Sequence, residues 1–290
     1  MHPAPSLILF TVLSGLGFGL LVWLGLGLRA PTGVAGFVLF GLGYGLAGAG
    51  LLASGFHLGH PERALLAFTQ WRTSWLSREA VLACAALLVM APHAAGAVFF
   101  ATPLPVLGWL GAVLALATIF ATAMIYTQIR AVPRWHHWST PPVFLFAGLA
   151  GGALLAGLPT LALVLMLTLG AAMATHWLMG DGRFAQAGSS TGSATQLGGP
   201  GQVRLLEPPH TGRNYLLREM VHVVGRKHAH KLRLIALGLG AALPVALLLL
   251  PTGHVVIGLA LIAHVTGIAA QRWLFFAEAE HVVGLYYGQR

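Results

Sequence analysis

Eight runs of mostly apolar residues, each near twenty long, divide the chain: Pro5 to Leu28, Val34 to Phe56, Arg78 to Phe100, Pro105 to Gln128, Pro142 to Gly157, Thr160 to Met179, Leu232 to Leu250 and Gly253 to Phe276. A helix needs roughly 20 such residues to cross a bilayer. The fifth run is short. Segments of about ten residues alternating apolar and polar, which a membrane barrel needs, are not visible. The pattern predicts an all-α integral membrane protein with eight transmembrane helices and one domain over residues 1–290. Within it, the Gly/Ser/Thr-rich stretch over about 187–202 reads as a flexible cytoplasmic linker. RNYLLREMVHVVGRKHAHKLR sets apolar Leu216, Leu217, Met220, Val221 and Val224 against Arg218, Arg226 and Lys227. This predicts an amphipathic helix lying at the interface over about 213–231.

Composition strengthens this picture. Of the 290 residues, 57% are hydrophobic and 8% charged, and the mean hydropathy is +0.80. That leaves too little polar surface for a soluble globule of this length. The opening MHPAPS lacks a basic n-region and no small-residue cleavage site follows the first run, so the first helix is expected to stay in the mature chain. Cys84 is the single cysteine. It excludes an internal disulfide and an iron-sulfur cluster held by this chain alone, since such clusters usually take four Cys ligands.

Charge sets the orientation. With eight spans, the N-terminus, the loops over 57–77, 129–141 and 180–231, and the C-terminus share one face. That face carries fifteen of the sixteen Lys and Arg residues, Arg29 being the exception. The positive-inside rule then places both termini in the cytoplasm. This topology accounts for most of the net charge of +9, and no nucleic-acid motif accompanies it. The hairpins on the other face are so short that a soluble partner must bind the cytoplasmic side. Glycines four apart (Gly15 and Gly19, Gly41 and Gly45, Gly148 and Gly152) are expected to let helices approach closely within the bundle.

The spans hold no Asp or Glu near mid-depth, which disfavours an ion-coupled transporter. His264 lies deep, while His57 and His176 sit near the cytoplasmic ends of the second and sixth spans. Two imidazoles from facing helices can ligate haem, so His57 with His176 forms one alternative. Hydrogen-bonded packing is the plainer role for His176 and His264. The polar passage FHLGHPERALLAFTQWRTSWLSRE offers more chemistry. His57 closes the second span, and Arg78 and Glu79 open the third, bringing imidazole, guanidinium and carboxyl groups to one membrane surface. A quinone ring needs a donor for its carbonyl, a group that exchanges protons, and aromatic or aliphatic walls. His57 and Glu79 suit the proton relay. Arg63, Arg72, Arg78, Trp71 and Trp75 complete the candidate quinone-binding set. Glu79 also suits a helix N-terminus electrostatically, and the two tryptophans suit an interfacial belt.

The opening MHPAPSLILFTVLSGLGFGL, the strings HLGHPERA and WRTSWLSRE, and the late GRNYLLREMVHVVGRKHAHKLR resemble the membrane anchor subunits of the dimethyl sulfoxide reductase family, within the polysulfide reductase and nitrite reductase D-type superfamily. The resemblance extends over essentially the whole chain and is strongest to anchors of cytoplasm-facing sulfite dehydrogenases. It implies two four-helix bundles in a bacterial inner membrane, no haem, and a site exchanging electrons between ubiquinone or menaquinone and an iron-sulfur subunit. That subunit would relay electrons from a catalytic partner holding molybdopterin guanine dinucleotide, where sulfite becomes sulfate. A dimethyl sulfoxide reductase anchor would instead oxidise menaquinol. The family's quinol-site histidine falls on His57 and its acidic residue on Glu79. The terminal substrate would be bound outside this chain.

Overall fold

The computed structural model describes residues 2–56, 60–199, 201, 203, 204, 206, 207, 212, 216, 220, 228–251 and 253–287. His57 and most of the expected interfacial helix over 213–231 lie outside these residues. Among the described residues there are helices and turns and no strand. Among the described residues, seven helices are long and apolar enough to cross a membrane: α1 (Pro5–Gly25), α2 (Gly33–Gly55), α3 (Trp75–Phe100), α4 (Pro105–Thr127), α6 (Pro159–Gly180), α7 (Ala229–Leu248) and α8 (His254–Ala277). The chain is therefore a membrane protein. The fifth apolar run forms α5 (Thr140–Leu155), whose 16 residues extend about 24 Å, less than a ~30 Å hydrocarbon core. The described part of the 187–202 stretch includes a short helix, Thr191–Thr195, closed by a reciprocal Ser190–Ser193 capping box.

Prolines start several of these helices. Pro5, Pro105 and Pro159 occupy first positions, where a missing N–H costs nothing and φ is already set. Ser74 caps α3 by accepting from the Ser77 amide. The α3 register so fixed turns Glu79 inward.

Helix α1 is the centre of the molecule, with Phe18, Leu20, Leu21 and Leu24 almost wholly buried. It packs against α2, α4, α5 and α8. Glycine makes these approaches possible. A Cβ on Gly19 would overlap the Gly148 carbonyl, one on Gly152 would overlap the Gly19 backbone, and one on Gly17 would meet Gly43 and Ala47 of α2. The glycine pairs expected on α1 and α5 thus meet each other. Those on α2 do not: Gly41 and Gly45 face open space, while Gly43 and Gly50 touch α1. The α2 face bearing Gly41 also carries Val34, Phe37 and Val38, all exposed. A spacing of four identifies a helix face without saying whether that face turns inward.

Gly19→Val should force α1 and α5 apart. Overpacking costs about 1–3 kcal/mol where neighbours yield, and here the neighbour is backbone. The expected result is a lower thermal midpoint in detergent, with Gly41→Val as the unaffected control; equal behaviour of the two variants would contradict this packing.

Helix α7 is interrupted by a π-turn over Gly238–Ala242, followed by Pro244 within the helix. A Cβ on Gly267 of α8 would overlap Gly240. The wide turn and the two glycines let α7 and α8 touch.

Candidate functional site

The polar passage after α2 folds into a 3-10 turn, Pro61–Phe68, that leads into α3. Leu65 and Leu66 on this turn are strongly exposed, which suits an element bedded in lipid headgroups. Arg78 folds back over the passage. Its Nε donates to the Trp71 carbonyl at 3.0 Å and its NH2 to the Arg72 carbonyl at 2.6 Å. The same guanidinium lies 4.4 Å from the Trp75 ring centre, a cation–π contact. Arg72 sits 5.7 Å from the Trp71 ring, and Trp75 meets Phe120 of α4 edge-on at 5.9 Å. Four of the expected residues, Trp71, Arg72, Trp75 and Arg78, therefore form one cluster. Arg63 is exposed on the 3-10 turn. His57 lies outside the described residues.

Glu79 is adjacent to Arg78 in sequence but points the other way, because successive helical residues diverge by about 100°. It is 5% exposed and touches the Thr122 hydroxyl on α4. Thr122 Oγ1 also lies 3.0 Å from the Thr118 carbonyl. A hydroxyl has a single proton to donate. When Glu79 is charged, Thr122 donates to it; when Glu79 is neutral, the carboxyl donates to Thr122, and the hydroxyl serves the Thr118 carbonyl. A hydrogen bond between the Glu79 carboxyl and the Thr122 hydroxyl is therefore compatible with either protonation state.

Around it, α4 supplies a polar stripe of Thr118, Thr122 and Tyr126, four apart and all buried. That spacing is written in the apolar run itself. Tyr126 lies within electrostatic reach of Glu79 and of Arg272 on α8, and stands among Trp135, Phe144, Phe275 and Phe276 at ring separations of 5.3–5.6 Å. Arg272 is 1% exposed. Its guanidinium lies 3.6 Å from the Phe144 ring centre and donates to Gln271 Oε1 at 2.8 Å, while its buried Nε has no partner among the described residues. Glu79 thus faces an aromatic, cation-bearing interior.

Two further groups gather at the same end. His176, fully buried on α6, is bonded through Nδ1 to Ser139 Oγ at 3.0 Å, and Ser139 Oγ reaches His137 Nδ1 at 2.8 Å. Partial burial, with the charges of Arg183 and His136, holds His137 below its ordinary pKa. His176 is thus hydrogen-bonded within the packed interior. The same holds for His264, whose ring nitrogens lie 2.8 and 3.2 Å from the Gly240 and Ala147 carbonyls.

The second group is an ionic clasp. Arg233 of α7 pairs with both oxygens of Asp181 at 2.6 and 2.8 Å and with Glu278 Oε1 at 2.7 Å. Arg134, from the loop before α5, reaches Asp181 at 2.7 Å. Their places in the sequence suggest a topological role alone. In the fold they tie together the ends of α6, α7 and α8.

The family model described as DMSO reductase anchor subunit (DmsC) matches residues 1–179. Over 324 aligned positions the chain is 34% identical to a sulfite dehydrogenase subunit of Allochromatium vinosum, the one lettered C, spanning 99% of each chain. No solved structure matches. The chain belongs to the DMSO reductase anchor subunit family, whose members, as anchors, are each one part of a larger complex.

Proposed function

We propose that this chain carries the quinone site of a cytoplasm-facing sulfite dehydrogenase. Electrons leave sulfite at a molybdopterin guanine dinucleotide in one partner subunit, cross the clusters of an iron-sulfur partner, and reduce ubiquinone or menaquinone held by this anchor, with no haem between. The balance is sulfite plus water plus quinone to sulfate plus quinol, so two protons must reach the ring. The observation that carries this reading is Glu79, a buried carboxyl bonded to the Thr122 hydroxyl and one residue along α3 from Arg78 of the Arg78–Trp75–Trp71 cluster.

In this reading His57 and Glu79 pass protons, Arg78, Arg72 and Arg63 provide donors and positive charge, and Trp71 and Trp75 wall the ring. The short α5 is the eighth crossing, α1–α4 and α5–α8 form the two bundles, and the site lies at the inner leaflet of a bacterial inner membrane with both chain termini in the cytoplasm. Support comes from the sulfite dehydrogenase relative and from the charge asymmetry of the loops. The family's DMSO reductase members favour a second reading, in which menaquinol is oxidised and the terminal acceptor is a sulfoxide.

Purification of the complex in mild detergent is the test. Two larger subunits bearing iron and molybdenum should accompany the chain, and sulfite should drive quinone reduction. A complex that oxidises quinol with dimethyl sulfoxide and ignores sulfite would select the second reading; isolation as a lone polypeptide would reject both.

A further inference from the structure

A ring-sized cavity lies at the end of the bundle away from Glu79, beside Arg29's loop. It has a volume of about 170 Å³ and is lined almost wholly by apolar groups, among them Leu24, Pro31, Phe40 and Ala97. Its side-chain polar atoms come from His93 and Trp109 alone. His93 follows Pro92 within α3, fourteen residues after Glu79, or about 21 Å along the helix axis.

The imidazole is held on three sides. Nδ1 lies 2.9 Å from the Leu104 carbonyl, Phe40 meets the ring edge-on at 5.7 Å, and Gly108 supplies a bare backbone against which the ring rests, since a Cβ there would press on it at 2.8 Å. A carbonyl only accepts, so Nδ1 carries the proton. In the neutral ring Nε2 is then an acceptor, and it has no partner among the described residues. His93 is 6% exposed. His93 lines the cavity, and a hydrogen-bond donor bound there would give Nε2 a partner. Water suits the place poorly, because an ordered water needs two to four polar partners.

We propose that this cavity binds a hydroxyl-bearing six-membered ring, the head of a lipid-soluble quinol, with a ring hydroxyl donating to His93 Nε2. Size supports a single ring: an apolar cavity of about 150 Å³ accepts benzene, whereas drug-sized ligands need roughly 300 Å³ or more. Entry is from lipid, where Trp109 forms the outer side and is 58% exposed; its indole N–H offers a donor to the ring's second oxygen. The site is a place of binding, and no electron transfer is assigned to it. It stands on its own residues and does not depend on the reading of Glu79.

The test uses the intact complex in lipid nanodiscs with a short-tailed azido-hydroquinone, photolysed and mapped by peptide mass spectrometry. Label is expected on peptides from 90–109, separately from any label near Glu79. Unlabelled hydroquinone of the same tail should compete about tenfold better than its dimethyl ether, which cannot donate. Ala30→Trp, at an exposed rim position, should remove the 90–109 label while leaving the Glu79 end unchanged. His93→Phe should erase the preference for hydroquinone over ether. Absence of label on 90–109, label indifferent to Ala30→Trp, or equal competition by the ether would overturn the proposal. Loss of label confined to the Glu79 end would count against the proposed function only.

Discussion

Glu79→Gln is expected to lower quinone-linked turnover of the assembled complex by about 10²–10⁴-fold, the usual contribution of a positioned acid or base, while sulfite oxidation with an artificial dye continues at the normal rate. Glutamine keeps the shape and can still bond Thr122, so folding should be preserved. What disappears is the exchangeable proton that lets the Thr122 hydroxyl alternate between Glu79 and the Thr118 carbonyl. Thr122→Val should cost less, about tenfold, since it removes one hydrogen bond and leaves the carboxyl. The loss in both variants should fall on kcat more than on KM, because Trp71 and Trp75, the proposed walls of the ring site, are untouched. Full quinone turnover in the glutamine variant would remove Glu79 from the mechanism.

The apolar runs mark the helices with little distortion, because a membrane span must satisfy its own backbone and has few alternatives to a helix. They do not decide α5, where sixteen residues are compatible with either crossing or partial insertion. Glu79 stands out in the sequence as a carboxyl at the start of a span, and the fold shows that it is buried. Its partner does not stand out: Thr122 is 43 residues away, and only the packing of α3 on α4 brings it near. Arg134, Asp181, Arg233 and Glu278 illustrate the same limit more sharply. Read singly, the two arginines are membrane-surface charges that obey the positive-inside rule and the two acids merely share their face, yet in the fold the four neutralise one another. His93 is hidden for a different reason, since a lone histidine in an apolar run has no local pattern, and its meaning comes from the Leu104 carbonyl and the cavity beside it.

The ionic clasp leads to the second large effect. Arg233→Leu should lower the thermal midpoint of the complex in detergent by about 6–12 °C, the shift that about 3 kcal/mol produces at about 2–4 °C per kcal/mol. Glu278 is 3% exposed and bonded to Arg233 at 2.7 Å, with Arg134 only at 3.8 Å, so the substitution leaves a buried carboxylate with a distant counterion. Breaking a buried pair costs about 3–5 kcal/mol, and the half-exposed Asp181 argues for the lower end. The double variant Arg233→Leu/Glu278→Leu should be more stable than Arg233→Leu alone, since no buried carboxylate is stranded. Acid should act through Asp181. Its hydrogen bonds to Arg233, and then to Arg134, hold its carboxyl at about 2, against an ordinary 3.8. A depressed carboxyl contributes stability in full above its unfolded value and loses it as pH falls through the folded one. The share of the wild-type advantage that belongs to Asp181 should therefore persist above about pH 4 and fade towards about pH 2. A midpoint unchanged by Arg233→Leu, or a double variant as damaged as the sum of its singles, would show that α6, α7 and α8 are held by their apolar faces alone.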